Sequence, residues 1–89
     1  MRKAYKIVLT PTEDGYLVTI PDYDSNTQGD DIADAMYMAR DAIGAMTLAM
    51  EELGMVVPEP GTDEVVVGDA DIVTYVDIDI EEYRRNLEG

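Results

Sequence analysis

Apolar and polar residues change period twice along this chain. Residues 5–11 (YKIVLTP) and 16–20 (YLVTI) are short, rich in β-forming side chains and loosely alternating. Between them Glu13, Asp14 and Gly15 have turn composition, with the glycine free to adopt positive φ. Two such runs across a glycine-containing turn predict an antiparallel hairpin. Pro21 ends the second run, because it cannot donate to a strand ladder. The polar stretch 21–31 (PDYDSNTQGDD) has room for one very short strand around 26–28, broken by Gly29.

From residue 32 the period becomes helical. Ile32, Met36, Ala39, Ile43, Met46, Met50 and Leu53 recur at spacings of four and three, which makes one apolar stripe along a long helix. Ala35, Met38, Ala42, Ala45 and Ala49 widen the stripe, leaving Asp34, Arg40, Asp41, Thr47, Glu51 and Glu52 as a narrow polar remainder. Asp31 is a good N-cap, and Asp34 three residues on is a weaker relative of a capping-box acid. Gly54 stands where a helix-terminating glycine belongs. Gly44, inside the helix, costs up to about 1 kcal/mol relative to alanine and marks a position that permits a close backbone approach.

Residues 55–61 (MVVPEPG) form a connector stiffened by Pro58 and Pro60. The segment 62–71 carries Val65, Val66 and Val67, readable as a half-turn or a short strand. The clearest strand is 72–80 (IVTYVDIDI). It places Ile72, Thr74, Val76, Ile78 and Ile80 on one face and Val73, Tyr75, Asp77 and Asp79 on the other. The closing residues 81–89 (EEYRRNLEG) suit a short helix or a frayed tail. The expected fold is therefore α+β with two layers, a small, mostly antiparallel β-β-β-α-β sheet packed on one long helix. Because the last strand follows the helix, a right-handed crossover is expected to bring it in parallel to a neighbour. With 89 residues and no internal linker, residues 1–89 make one domain.

Composition narrows the chemistry. There is no cysteine, so no disulfide framework or thiolate chemistry, and no histidine, the usual proton carrier near neutral pH and the commonest metal ligand. No apolar run approaches the roughly 20 residues of a membrane span. The opening MRKAYKIVLTP turns polar too soon for a secretory signal, so a cytoplasmic location is expected. A formal net charge of −14 opposes nucleic-acid phosphates and anionic membranes, and suits a basic protein partner. Arg2, Lys3, Lys6, Arg84 and Arg85 are too few for a nucleic-acid footprint and are expected to form local ion pairs.

The ordered set of elements resembles the HicB-type antitoxin family. The residues that carry the resemblance are the strand 5–9 and the turn Asp14, Gly15, Tyr16. They continue with the strand into Pro21-Asp22, Thr27-Gln28-Gly29-Asp30, Asp34-Ala35 on the helix, Gly54, Pro58-Glu59-Pro60 and the closing VDIDIEEYRR. The likeness spans nearly the whole chain. It implies a partial ribonuclease-H-like fold and a type II toxin–antitoxin role, in which the domain binds a small basic HicA-like ribonuclease toxin and blocks its RNA-cutting site. Many members of that family add a C-terminal DNA-binding domain. This sequence stops at Gly89, where such a domain would begin, so direct nucleic-acid binding by this chain is not expected.

Three features are candidates for function. Asp22, Asp24, Asp30 and Asp31 could hold Mg²⁺ for phosphodiester hydrolysis on a ribonuclease-H-like fold. They crowd into one turn-rich stretch, however, where Asp usually bonds its own backbone, so no metal, cofactor or catalytic residue is assigned. The helix flank with Met38, Ala42 and Ala45 is a candidate contact for a second copy or a toxin, which predicts a homo-oligomer. The ridge of Tyr75, Asp77, Asp79, Glu81 and Glu82 is a candidate docking surface for a basic toxin, with Tyr75 as anchor; its plainer role is to discourage edge-to-edge pairing. No Ser/His or Cys/His arrangement or Gly-rich phosphate loop occurs. The expectation is a non-enzymatic binding domain. The alternatives are a stand-alone HicB-like oligomeric regulatory domain with another ligand, or a metal-dependent ribonuclease-H-like nuclease.

Overall fold

The first two β-like runs form the expected hairpin. β1 (Arg2–Pro11) pairs with β2 (Tyr16–Ile20), Val8 opposite Thr19 and Pro11 opposite Tyr16. The turn closes where the Thr12 N–H donates to the Gly15 carbonyl at 2.8 Å. Gly15 has φ +156°, and a Cβ there would collide with the Gly29 carbonyl. A single 3₁₀ turn (Pro21–Tyr23) and Asp24, in the left-handed conformation at φ 48°, then swing the chain back. β3 (Ser25–Gly29) pairs antiparallel with β2 and takes in the whole of SNTQG, so Gly29 belongs to the strand rather than breaking it. The computed structural model describes residues 1–61 and 64–88.

α1 (Ile32–Glu52) begins and ends on its own side chains and backbone. Asp31 accepts from the Asp34 N–H at 2.7 Å, and Asp34 reaches back to the Asp30 N–H at 2.8 Å, a capping exchange shifted by one residue. At the other end Gly54 has φ +72°, while Met55 N–H donates to Met50 and Gly54 N–H to Glu51, a Schellman closure. The core is Tyr5, Ile7 and Leu9 of β1 and Val18 and Ile20 of β2 against Ala35, Ala39 and Ile43 of α1. Small helix residues there let α1 sit low on the sheet. At its start a Cβ on Gly29 would lie 2.5 Å from Ala35 Cα, so only glycine admits this approach.

The buried stripe on α1 runs Ala35, Ala39, Ile43, Thr47, each four residues from the last. It is rotated from the predicted one: Ile32 and Leu53 are exposed, and Met36, Met46 and Met50 are half-buried against the core. Thr47, placed by pattern on the polar side, is instead buried. Its hydroxyl donates to the Ile43 carbonyl at 2.7 Å and sits 2.7 Å from the Tyr23 hydroxyl. Since Thr47 spends its one proton on Ile43, Tyr23 is the donor between them. The Tyr23 ring meets Tyr5 edge-on, centroids 5.1 Å apart, and the Tyr5 hydroxyl donates to the Pro58 carbonyl. Burial is the first cause that pushes the Tyr5 phenol above its ordinary pKa.

β4 (Ile72–Asp79) joins the sheet beside β1, giving the order β3-β2-β1-β4. It runs antiparallel to β1, from Ile72 opposite Leu9 to Asp79 opposite Arg2, not parallel as the crossover argument expected. The reason is the connector. α1 ends near the start of β1, where Glu51 shares a cavity with Lys3 and Tyr5. A strand starting there would have been parallel. The connector instead makes a second pass: Lys3 pairs with Glu59, the Gly61 N–H donates to Asp22 at 3.1 Å, and Val65 lies in a cleft with Lys6 and Pro21. It reaches the far end of β1, so β4 must return in the opposite direction. Residues 64–68 are irregular rather than a strand, and 62 and 63 of the ambiguous segment lie outside the described residues. α2 (Ile80–Glu88) follows β4 directly. Its Tyr83 ring lies on Gly44, where a Cβ would meet the ring at 2.6 Å, so the close approach at this glycine is made by a side chain and not by another backbone.

Candidate protein-binding surfaces

The acidic ridge at the end of β4 is neutralised from within. Arg2 donates to Asp77 and to Glu82, both at 2.8 Å. Arg40, reaching from α1, puts Nη2 3.1 Å from Asp77 Oδ1 and donates from Nε to the Asp77 main-chain carbonyl at 2.8 Å. Arg84 ties Glu81 to Glu51. Asp79 accepts from the Glu81 and Glu82 N–H groups and so caps α2. The hydrogen bond from Arg40, with Arg2 behind it, holds the Asp77 carboxyl below the usual carboxylate range. The backbone bond from Glu82 does the same first for Asp79. Asp77 in turn raises the Arg2 guanidinium. Of the five ridge residues only Tyr75 is free of this network, exposed on the outer face beside Lys6.

The helix flank is a separate place. Ala42 and Arg40 are two residues apart, about 200° around the helix axis. Arg40 leans to β4, so Ala42 and Met38 turn towards the β3 side. Met38 is half-buried in a cleft that Asp14, Asp30 and Asp34 also line, Ala42 is half-buried against the core, and Ala45 is exposed. One flat partner therefore does not cover the ridge and the flank together.

Two of the four acids that suggested a metal, Asp22 and Asp31, bond the backbone through their carboxylates. Asp22 holds the connector through Gly61, and Asp31 caps α1, while Asp24 stands apart in its left-handed turn. Among the described residues no three acids gather in a metal-holding arrangement. No helix among them is long and apolar enough to cross a membrane.

Two features escaped the pattern. Arg40, assigned only to the polar side of the helix, is the residue that closes over β4. The Tyr5–Tyr23–Thr47 group joins strand, turn and helix, and threonine's place in a polar remainder hid it.

This two-layer α+β architecture, an antiparallel sheet of four strands with two helices, is shared by a chain of a toxin–antitoxin complex from Streptococcus pneumoniae. The TM-score is 0.77 at 24% identity, over 93% of this chain and 73% of that one. No protein-family profile matches the sequence, and no curated protein matches it.

Proposed function

We propose that this chain is an antitoxin-like component of a toxin–antitoxin pair, one that binds a small basic toxin and acts by occlusion rather than by catalysis. The observation that carries the reading is the fold it has in common with a chain of a toxin–antitoxin complex, over nearly its whole length. The charge supports the antitoxin side of such a pair: twenty acidic residues against six basic ones leave a −14 surface, and Arg2, Lys3, Arg40 and Arg84 are already spent on internal ion pairs. The HicB-type assignment, a HicA-like ribonuclease as partner, self-association and a cytoplasmic setting all belong to this proposal. The first two rest on the sequence resemblance, self-association on the helix flank of Met38, Ala42 and Ala45, and the cytoplasmic setting on an opening that turns polar too soon for a secretory signal.

The test is to purify the product of a short basic reading frame adjacent to this chain's own and to measure RNA cleavage with and without this domain. Suppression at one-to-one stoichiometry, weakened by salt, is the expected result. Undiminished cleavage at excess domain would overturn the reading.

A further inference from the structure

The sheet has two outer edges, and their chemistry differs. β3 is five residues long and carries no apolar side chain. β4 is eight residues long, and along it Val73 and Tyr75 are 42% and 55% exposed. Among the described residues β4 has a strand neighbour on the β1 side only.

The direction of its backbone groups follows from two observations. Arg40 Nε reaches the Asp77 carbonyl, so that carbonyl points away from β1. Along a strand the groups of every second residue point the same way, which turns the N–H and C=O of Val73 and Tyr75 outward too. The hairpin agrees. The Thr12 N–H bonds Gly15, so even-numbered β1 residues face β2 and odd-numbered ones face β4. Those odd residues oppose Ile72, Thr74, Val76 and Ile78. Arg40 thus blocks the free edge at Asp77 and leaves Val73 and Tyr75 open upstream.

We propose that the Val73–Tyr75 edge of β4 is a strand-docking site that takes an extended basic segment of a protein partner as a fifth strand. Such edges bind through main-chain hydrogen bonds, while flanking side chains choose the sequence. Charge selects the occupant. Another copy of this chain would bring −14 to −14, whereas a Lys- or Arg-bearing strand meets an acidic domain, with the exposed Asp69 in the turn that leads into β4 and Asp71, which accepts from the Gly68 N–H, directly before the strand. Tyr75 supplies an amphipathic anchor next to it. This inference rests on the proposed partner-binding role and adds where, and in what conformation, the partner binds.

The probe is a synthetic decapeptide alternating Lys and Val, compared with the same peptide N-methylated throughout, which keeps the charge and removes the strand donors. The unmethylated peptide is expected to bind at least about tenfold more tightly, the scale of one or two net hydrogen bonds, and to slow exchange of the Val73 and Tyr75 amides. Val73→Pro removes an outward N–H without touching the β1 ladder. It should keep the fold by circular dichroism and lose about tenfold in binding. Equal binding of both peptides, or no protection at Val73 and Tyr75, overturns the proposal. Tyr75→Ala, which keeps every backbone donor, guards against a Val73→Pro chain that fails to fold: it should weaken binding while amide protection at Val73 persists in the complex, and loss of that protection would count against the edge. The two readings fail separately. A basic toxin inhibited equally by wild type and Val73→Pro sinks the edge and leaves the antitoxin role. Peptide pairing without any toxin inhibition does the reverse.

Discussion

The two edges of one sheet are protected by different means. At β3 the seal is backbone on backbone: Gly29 lets the first turn of α1 settle against the strand, and nothing there can move without moving the helix. At β4 the contact is a side-chain tip, Arg40 on Asp77, and α2 just beyond it is held to α1 in the same way, by Tyr83 on Gly44 and Arg84 between Glu51 and Glu81. The difference teaches where this domain is rigid and where it can yield. Atoms at the end of a side chain rotate away at little cost, whereas packed backbone does not.

Gly29→Ala should have the largest effect. The new Cβ lies 2.5 Å from Ala35 Cα, so helix and strand must part. A loss of about 3 kcal/mol or more is expected, read as a fall in the urea midpoint. A near-neutral result would break the comparison at its rigid end. Gly44→Ala places a Cβ equally close to its neighbour, 2.6 Å from the Tyr83 ring. That neighbour can swing out, and alanine returns up to about 1 kcal/mol of helix propensity. The net cost should stay below about 1 kcal/mol, with faster amide exchange through α2. Combined with Tyr83→Ala, the substitution should become neutral or stabilising, and a double-mutant cycle measures that coupling.

The halves of the molecule also differ in how legible they were. Periodicity found the β1–β2 hairpin, β4 and the long helix, because each turns an apolar face to the core; β3, with no apolar side chain to alternate, was readable only as room for a shorter strand. Both helix ends were readable in Asp31 and Gly54. Direction of β4 was not readable: it depends on the path of the connector across the outer face, and composition says only that Pro58 and Pro60 stiffen it. Thr47 was misplaced because a hydroxyl bonded to its own helix and to Tyr23 is as buried as a valine, and sequence alone does not reveal the partner. The ridge was seen as acidic, but its pairing was not. Arg2 and Arg40 are 38 residues apart in the chain, and only the antiparallel return of β4 brings both to Asp77.

The smallest effect tests the guard on β4 itself. Arg40 and Arg2 hold the Asp77 pKa below that of the unfolded chain. The folded state therefore binds this proton less readily than the unfolded one. The contribution is complete above the ordinary carboxylate range, about pH 4, and is lost as pH falls through the lower folded value. Asp77→Asn should therefore be slightly less stable than wild type at neutral pH, with the gap closing on acidification and narrowing in high salt, as exposed pairs are screened. Comparing the two chains cancels the titration of the other acids. Since Arg40 also holds the Asp77 carbonyl, which Asn keeps, the edge should stay closed at residue 77 in this variant and open in Arg40→Ala. Amide exchange at Asp77 and Asp79, whose N–H groups point outward, separates the two cases. Equal exchange in both would mean that the guanidinium contributes nothing to the edge beyond its charge.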